Sequence, residues 1–131
     1  MAETLDQEKG CPHPVGMVVD DDALVRETVV AIMEELCDEV YEAADGIEGL
    51  EVLEHHPDIS LVITDIAMPR LDGIGFVRQA RREHPNLKVL FVSGLQHPPE
   101  SEEFLPKPFP RRALVSALQH LLSGPPPRHA A

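Results

Sequence analysis

The stretch VVDDD, residues 18–22, closes the apolar run VGMVV (15–19) with three consecutive carboxylates, Asp20, Asp21 and Asp22. A second run, ISLVIT (59–64), ends on Asp65, within LVITDIAMP (61–69). Runs of this length read as strands, and one that is apolar throughout suits a strand covered on both faces. Between the two, Val25, Val29, Ile32 and Leu36 fall at helical spacing, with Asp22 placed to cap that helix. VYEA (40–43) is a shorter, half-polar strand that belongs near a sheet edge, and after the Asp45–Gly46 turn Ile47, Leu50 and Leu53 share one helix face ahead of Pro57. Downstream, Asp72–Gly73 opens a helix carrying Phe76, Val77 and Ala80 that stops before Pro85. LKVLFV (87–92) and EFLP (103–106) read as two more strands, and Pro110 starts a last helix with Leu114, Leu118 and Leu121 facing inward.

Strand and helix alternate from end to end, which predicts an α/β domain with a parallel sheet, helices on both faces and right-handed crossovers. The expected domain covers residues 15–122, between loose tails at 1–14 and 123–131. In such sheets, ligands sit beyond the carboxyl ends of the strands. Asp20, Asp21, Asp65, Ser93 and Lys107 all follow or end strands, so all are expected on one rim.

The chain has 131 residues, enough for one ordinary domain. Apolar residues make up 43% and aromatics only 4%, so Val, Leu and Ile must form the core. A net charge of −12 argues against binding a phosphate backbone and favours cations as partners. Cys11 and Cys37 are the only cysteines and fit reduced thiols better than a disulfide framework. No apolar stretch is long enough to span a membrane and no signal peptide is visible, so a cytoplasmic location is expected. The seven histidines contain no HxxxH pair and give no zinc site. Arg78, Arg81 and Arg82, with Arg70 nearby, read as a solvated helix face.

Gathering carboxylates is costly: two unit charges in contact repel by ~4 kcal/mol at an effective dielectric near 20. A bound dication removes that cost, and Mg²⁺ accepts two or three carboxylates while keeping some of its waters. A carboxylate beside Mg²⁺, a hydroxyl and a lysine can also attack phosphorus, because the cations neutralise charge on the phosphoryl oxygens.

The four segments VVDDD, DIAMPRLDG (65–73), VLFVSG (89–94) and FLPKPF (104–109), in that order, resemble the motifs of response-regulator receiver domains of two-component signalling. The resemblance covers residues 15–122. It implies a flavodoxin-like, doubly wound, five-stranded sheet in the order 2-1-3-4-5. It also implies phosphorylation on Asp65, and Mg²⁺ held by Asp21, Asp65 and the Ala67 carbonyl, with Asp20 acting through water. Lys107 and Ser93 would contact the phosphoryl group, Phe104 would be the switch aromatic or core filler, and Lys107–Pro108 is a candidate cis bond. Ala67 and Leu95 match positions that tune phosphate lifetime, and both are apolar in this chain. The implied partner is a histidine kinase or histidine phosphotransfer protein, with no nucleic acid and no membrane; no oligomeric state is assigned. Both a single-domain regulator and a receiver cut from a longer hybrid kinase fit the chain.

The chain departs from the family between its last two strands. SGLQHPPESE (93–102), with Pro98–Pro99, is too short and too broken for a full helix, so the family's fourth helix is expected to be truncated or replaced by a loop. Two other readings remain. DDDAL (20–24) also fits a haloacid-dehalogenase-like phosphatase, with Asp20 as nucleophile and Asp22 as acid/base, although no acidic pair follows Lys107. A receiver-like interaction module that is never phosphorylated is the third.

Overall fold

The computed structural model describes residues 14–94 and 102–123. Five strands, β1 (Val15–Val19), β2 (Glu39–Ala43), β3 (Leu61–Asp65), β4 (Lys88–Ser93) and β5 (Glu103–Pro106), form one parallel sheet in the order β2-β1-β3-β4-β5. Four helices accompany them among the described residues: α1 (Ala23–Met33), α2 (Gly46–His55), α3 (Gly73–Glu83) and α4 (Arg111–Ser123). The chain thus has the flavodoxin-like order expected of it. Leu95 and the two tails, with Cys11, lie outside the described residues. So does most of the stretch expected to replace the fourth family helix.

Side-chain alternation divides the core into two layers. Met17, Val19, Val62, Val89 and Phe91 point to one face and pack with Leu53 of α2 and Phe76, Val77 and Ala80 of α3. Val18, Leu61, Ile63, Leu90 and Val92 point to the other, against Val29, Ile32 and Met33 of α1 and Leu114 and Leu118 of α4. Every residue of β3 is buried, as its unbroken apolar run requires. β2 and β5 form the edges and are only half covered.

Boundaries shift slightly from the sequence reading. α1 ends at Met33, so Leu36 sits in the turn that follows, though it still packs on the core. β3 begins at Leu61 rather than Ile59 and takes in Asp65. β4 runs one residue later than expected. Pro110 precedes α4, and its carbonyl accepts from the amides of Ala113 and Leu114.

Candidate functional site

Parallel pairing sets β1, β3 and β5 in register at one rim, and the residues that leave those strands meet there. Asp20 follows β1, and its amide donates to the Ala43 carbonyl at 3.1 Å, which fixes the exit of the strand. The Asp20 carboxylate is buried; Oδ1 accepts from the Asp22 amide at 2.9 Å and Oδ2 from Lys107 Nζ at 3.0 Å. Asp65 ends β3. Its Oδ1 accepts from the Ile66 amide at 2.7 Å and its Oδ2 from the same Lys107 Nζ at 3.1 Å. Asp21 is exposed, and one carboxylate oxygen from each of Asp20, Asp21 and Asp65 lies within 4.8 Å of the others.

Lys107 reaches both acids from the residue after β5. Its amide donates to the Ser93 carbonyl at 3.0 Å, and the Lys107–Pro108 peptide is cis. Ser93 is buried at the end of β4. Ala67 is exposed on the loop between β3 and α3. Phe104 lies half-buried on β5, packed against the layer that α2 and α3 cover. The Asp22 carboxylate stands outside the cluster: it caps α1, accepting from the amides of Leu24 and Val25 at 3.0 and 3.3 Å.

The electrostatics match the geometry. Burial raises the Asp20 carboxyl above the usual carboxylate range, although the Asp22 amide and Lys107 pull the other way. Burial likewise works against the Lys107 ammonium, but its hydrogen bonds to Asp20 and Asp65 outweigh it and lift the lysine above its ordinary value. With all three acids ionised, one lysine leaves two negative charges unmatched. An all-oxygen donor set with that excess suits a hard divalent cation.

The loop that carries Ala67 is tightly built. The Gly73 amide donates to the Ile66 carbonyl at 2.8 Å, and a Cβ on Gly73 would stand 2.0 Å from the Asp65 carbonyl oxygen. Only glycine permits that approach. Arg70 adopts a left-handed backbone at φ 71° and grips Asp45 with two hydrogen bonds, Nε to Oδ2 at 2.8 Å and Nη2 to Oδ1 at 3.1 Å.

The sequence reading did not find three arginine contacts near this rim or on α3. Arg26 Nη1 donates to the Asp20 carbonyl at 2.6 Å while its Nε pairs with Glu42. Arg70 pairs with Asp45. Arg81 does not lie on a solvated face: its side chain is 9% exposed and binds Glu102 and the Leu87 carbonyl. The acidic partners lie 16 to 25 residues away in sequence, and the two nearer partners are backbone carbonyls, so spacing gave no signal. Only the D-x-x-E pattern of Asp45 and Glu48, a capping box, could have marked Asp45.

Comparison with known proteins gives the family and the fold. A family model described as the response regulator receiver domain matches residues 17–119. Among curated relatives, the response regulator receiver protein CpdR of Brucella abortus (strain 2308) is 32% identical over 114 residues, covering 81% of this chain and 94% of that protein. Sensor kinase CckA of the same organism is 33% identical over 115 residues, covering 81% of this chain but only 12% of the kinase. The aerobic respiration control protein ArcA of Escherichia coli (strain K12) is 31% identical, and the match spans 48% of its length. A solved receiver domain from a hybrid histidine kinase CckA is 32% identical at a TM-score of 0.74, covering 83% of this chain and 99% of that one. The CheX-CheY-BeF3-Mg+2 complex from Borrelia burgdorferi shares the fold, at a TM-score of 0.79 and 24% identity over 91% of this chain and 96% of that one.

Proposed function

Because the chain belongs to the response-regulator receiver family, we propose that it accepts a phosphoryl group on Asp65 from a phosphohistidine and changes conformation in response. The donor would be a histidine kinase or a histidine phosphotransfer protein. The observation that carries this reading is the convergence of Asp20, Asp21 and Asp65 within 4.8 Å, with Lys107 bonded to two of them.

A carboxylate nucleophile needs no general base to activate it. A carboxylate oxygen of Asp65 forms the new O–P bond, the P–N bond of the donor breaks, and its electron pair returns to the imidazole. Lys107, already beside Asp65, follows the incoming charge with its ammonium. Ser93 hydrogen-bonds a phosphoryl oxygen from the end of β4. The residues fit Mg²⁺, held by Asp21, Asp65 and the Ala67 carbonyl with Asp20 acting through water; when bound, it neutralises charge on the phosphoryl oxygens. The chain then acts as a switch whose only catalysis is its own phosphorylation and dephosphorylation. The apolar Ala67 offers no hydrogen bond to an attacking water, which favours a long-lived phosphate, and a polar residue at Ala67 should shorten that lifetime. The phosphatase reading loses its acid/base, since Asp22 serves as the cap of α1.

The test is incubation with acetyl phosphate and Mg²⁺ followed by intact mass. A phosphoryl adduct on the wild type and none on Asp65→Asn is expected. Adduct on both proteins, or on neither, overturns the assignment. Beryllofluoride trapped at Asp20 instead of Asp65 would restore the phosphatase reading.

A further inference from the structure

Asp45 and Arg70 lie on different elements, 25 residues apart, and neither belongs to the acidic cluster. Asp45 has two tasks. Its Oδ1 accepts from the Glu48 amide at 2.9 Å and so caps α2, while both its oxygens are held by the Arg70 guanidinium. Glu48 completes the cap by accepting from the Ala44 amide at 2.6 Å. The guanidinium holds the Asp45 carboxyl below the usual carboxylate range. Arg70 is the only non-glycine residue with positive φ among those described. A second contact lies alongside: a Cβ on Gly46, the first residue of α2, would meet the Leu71 carbonyl oxygen at 2.7 Å. The β3–α3 loop therefore rests on the start of α2 at two successive residues, by an ion pair at Arg70 and by backbone contact at Leu71. That same loop carries Ala67, whose carbonyl is the proposed third protein ligand of the metal. Its other end is tied down where Gly73 donates to the Ile66 carbonyl.

We propose that Arg70 is a positioning residue that clasps Asp45 at the cap of α2 and thereby holds the β3–α3 loop, with the Ala67 carbonyl, in the geometry that binds the divalent cation. The proposal rests on the function proposed above and adds a residue to it. The clasp touches neither the phosphoryl group nor the metal. It acts by removing the loop's freedom before the metal arrives, so its loss weakens metal binding without altering chemistry at Asp65. A left-handed backbone at an arginine fits this role, because the ion pair holds the chain in a conformation that the residue alone disfavours.

Charge and position give opposite expectations, which makes the proposal testable. If the pair acted only through its charges, Arg70→Gly would tighten cation binding and Asp45→Ser would loosen it. If it acts by holding the loop, both loosen binding. Arg70→Gly keeps the left-handed backbone without strain, and Asp45→Ser keeps a good helix cap. Cation binding is read by titrating Mn²⁺ and following the free-ion electron paramagnetic resonance signal. Thermal melts confirm that each variant is folded. Each single variant should raise the half-saturating Mn²⁺ concentration about threefold to tenfold. The double variant should be no worse than either single, since the clasp is lost once. Arg70→Lys, which keeps the charge but not the fork, should recover part of the loss. In acetyl phosphate labelling, the half-saturating Mg²⁺ should rise with less than about a twofold change in the rate at saturation. Tighter binding in Arg70→Gly, unchanged binding in both singles, or no cation binding by the wild type overturns the proposal. A wild type that binds Mn²⁺ but takes no phosphoryl group sinks the function proposed above, while the titration still judges the clasp.

Discussion

Asp65 shows how much a single residue can be made to do by its surroundings. Its two oxygens have separate partners, the Ile66 amide and Lys107, and its carbonyl sits against Gly73. Its carboxylate is thus oriented by backbone as much as by side chains. Gly73→Ala would force the loop and β3 apart, at a cost of roughly 1–3 kcal/mol or more. A lower urea midpoint and a lower adduct yield from acetyl phosphate are both expected. Cys37 offers a second test at this scale. It is a buried free thiol, and burial pushes its pKa up to about 11 from 9.0. The folded state therefore keeps the proton while the unfolded state loses it. Stability from this group is intact below pH 9, falls between pH 9 and pH 11, and is gone above, by roughly 2–3 kcal/mol in all. Urea titrations across that window should show a shallower loss in Cys37→Val than in the wild type.

At the scale of elements, three helices begin on an aspartate cap: Asp22, Asp45 and Asp72. Asp22 was legible as a cap because a cap is a local feature, one side chain bonding an amide two or three residues ahead, whereas Asp45 and Asp72 read only as a turn and a helix opening. The strands were legible too. Short apolar runs cannot be amphipathic helices, and β3 could only lie at the centre of a sheet. Long-range ion pairs were not legible. Arg81 looked like one member of a basic patch, yet it binds Glu102, 21 residues away, in a pair whose side chains are 9% and 11% exposed. That pair ties the entry to β5 onto α3. Removing one partner leaves a buried charge, so Glu102→Leu should cost about 3–5 kcal/mol, and Arg81→Met with Glu102→Leu together should recover most of it. A double-mutant cycle in urea measures this. The Asp45 carboxyl, held low by Arg70, gives a pH test at the same scale. Its contribution is present above the ordinary carboxylate range and disappears as pH falls through its lowered value. The stability gap between wild type and Arg70→Gly should close on the acid side.

For the whole molecule, the site and the fold are one object. Residues 20, 65, 93 and 107 meet only because the sheet runs in the order β2-β1-β3-β4-β5, so the order of motifs along the sequence was enough to place them on one rim. What the sequence left unmarked was how the acids are held, since that depends on backbone amides and carbonyls that carry no residue signature. A cation bound only by the folded state should stabilise the entire chain. At ten times its dissociation constant the gain is about 1.4 kcal/mol, or roughly 5 °C in melting temperature for a domain of this size. A calorimetric scan with and without Mg²⁺ should show that shift in the wild type and lose it in Asp21→Asn. The net charge of −12 adds a general attraction for cations, so the comparison belongs at moderate ionic strength, where that background is screened.

The lysine that bridges the two acids directly follows β5, a strand of four residues at the border of the sheet, whereas the acids leave β1 and β3 in its interior. Border strands peel first. Each brief detachment of β5 would carry the ammonium away and leave the carboxylates facing one another uncompensated, so the amides of 103–105 should exchange with solvent deuterium sooner than those of 61–65. The rim's positive charge thus lasts only as long as the outermost strand stays zipped.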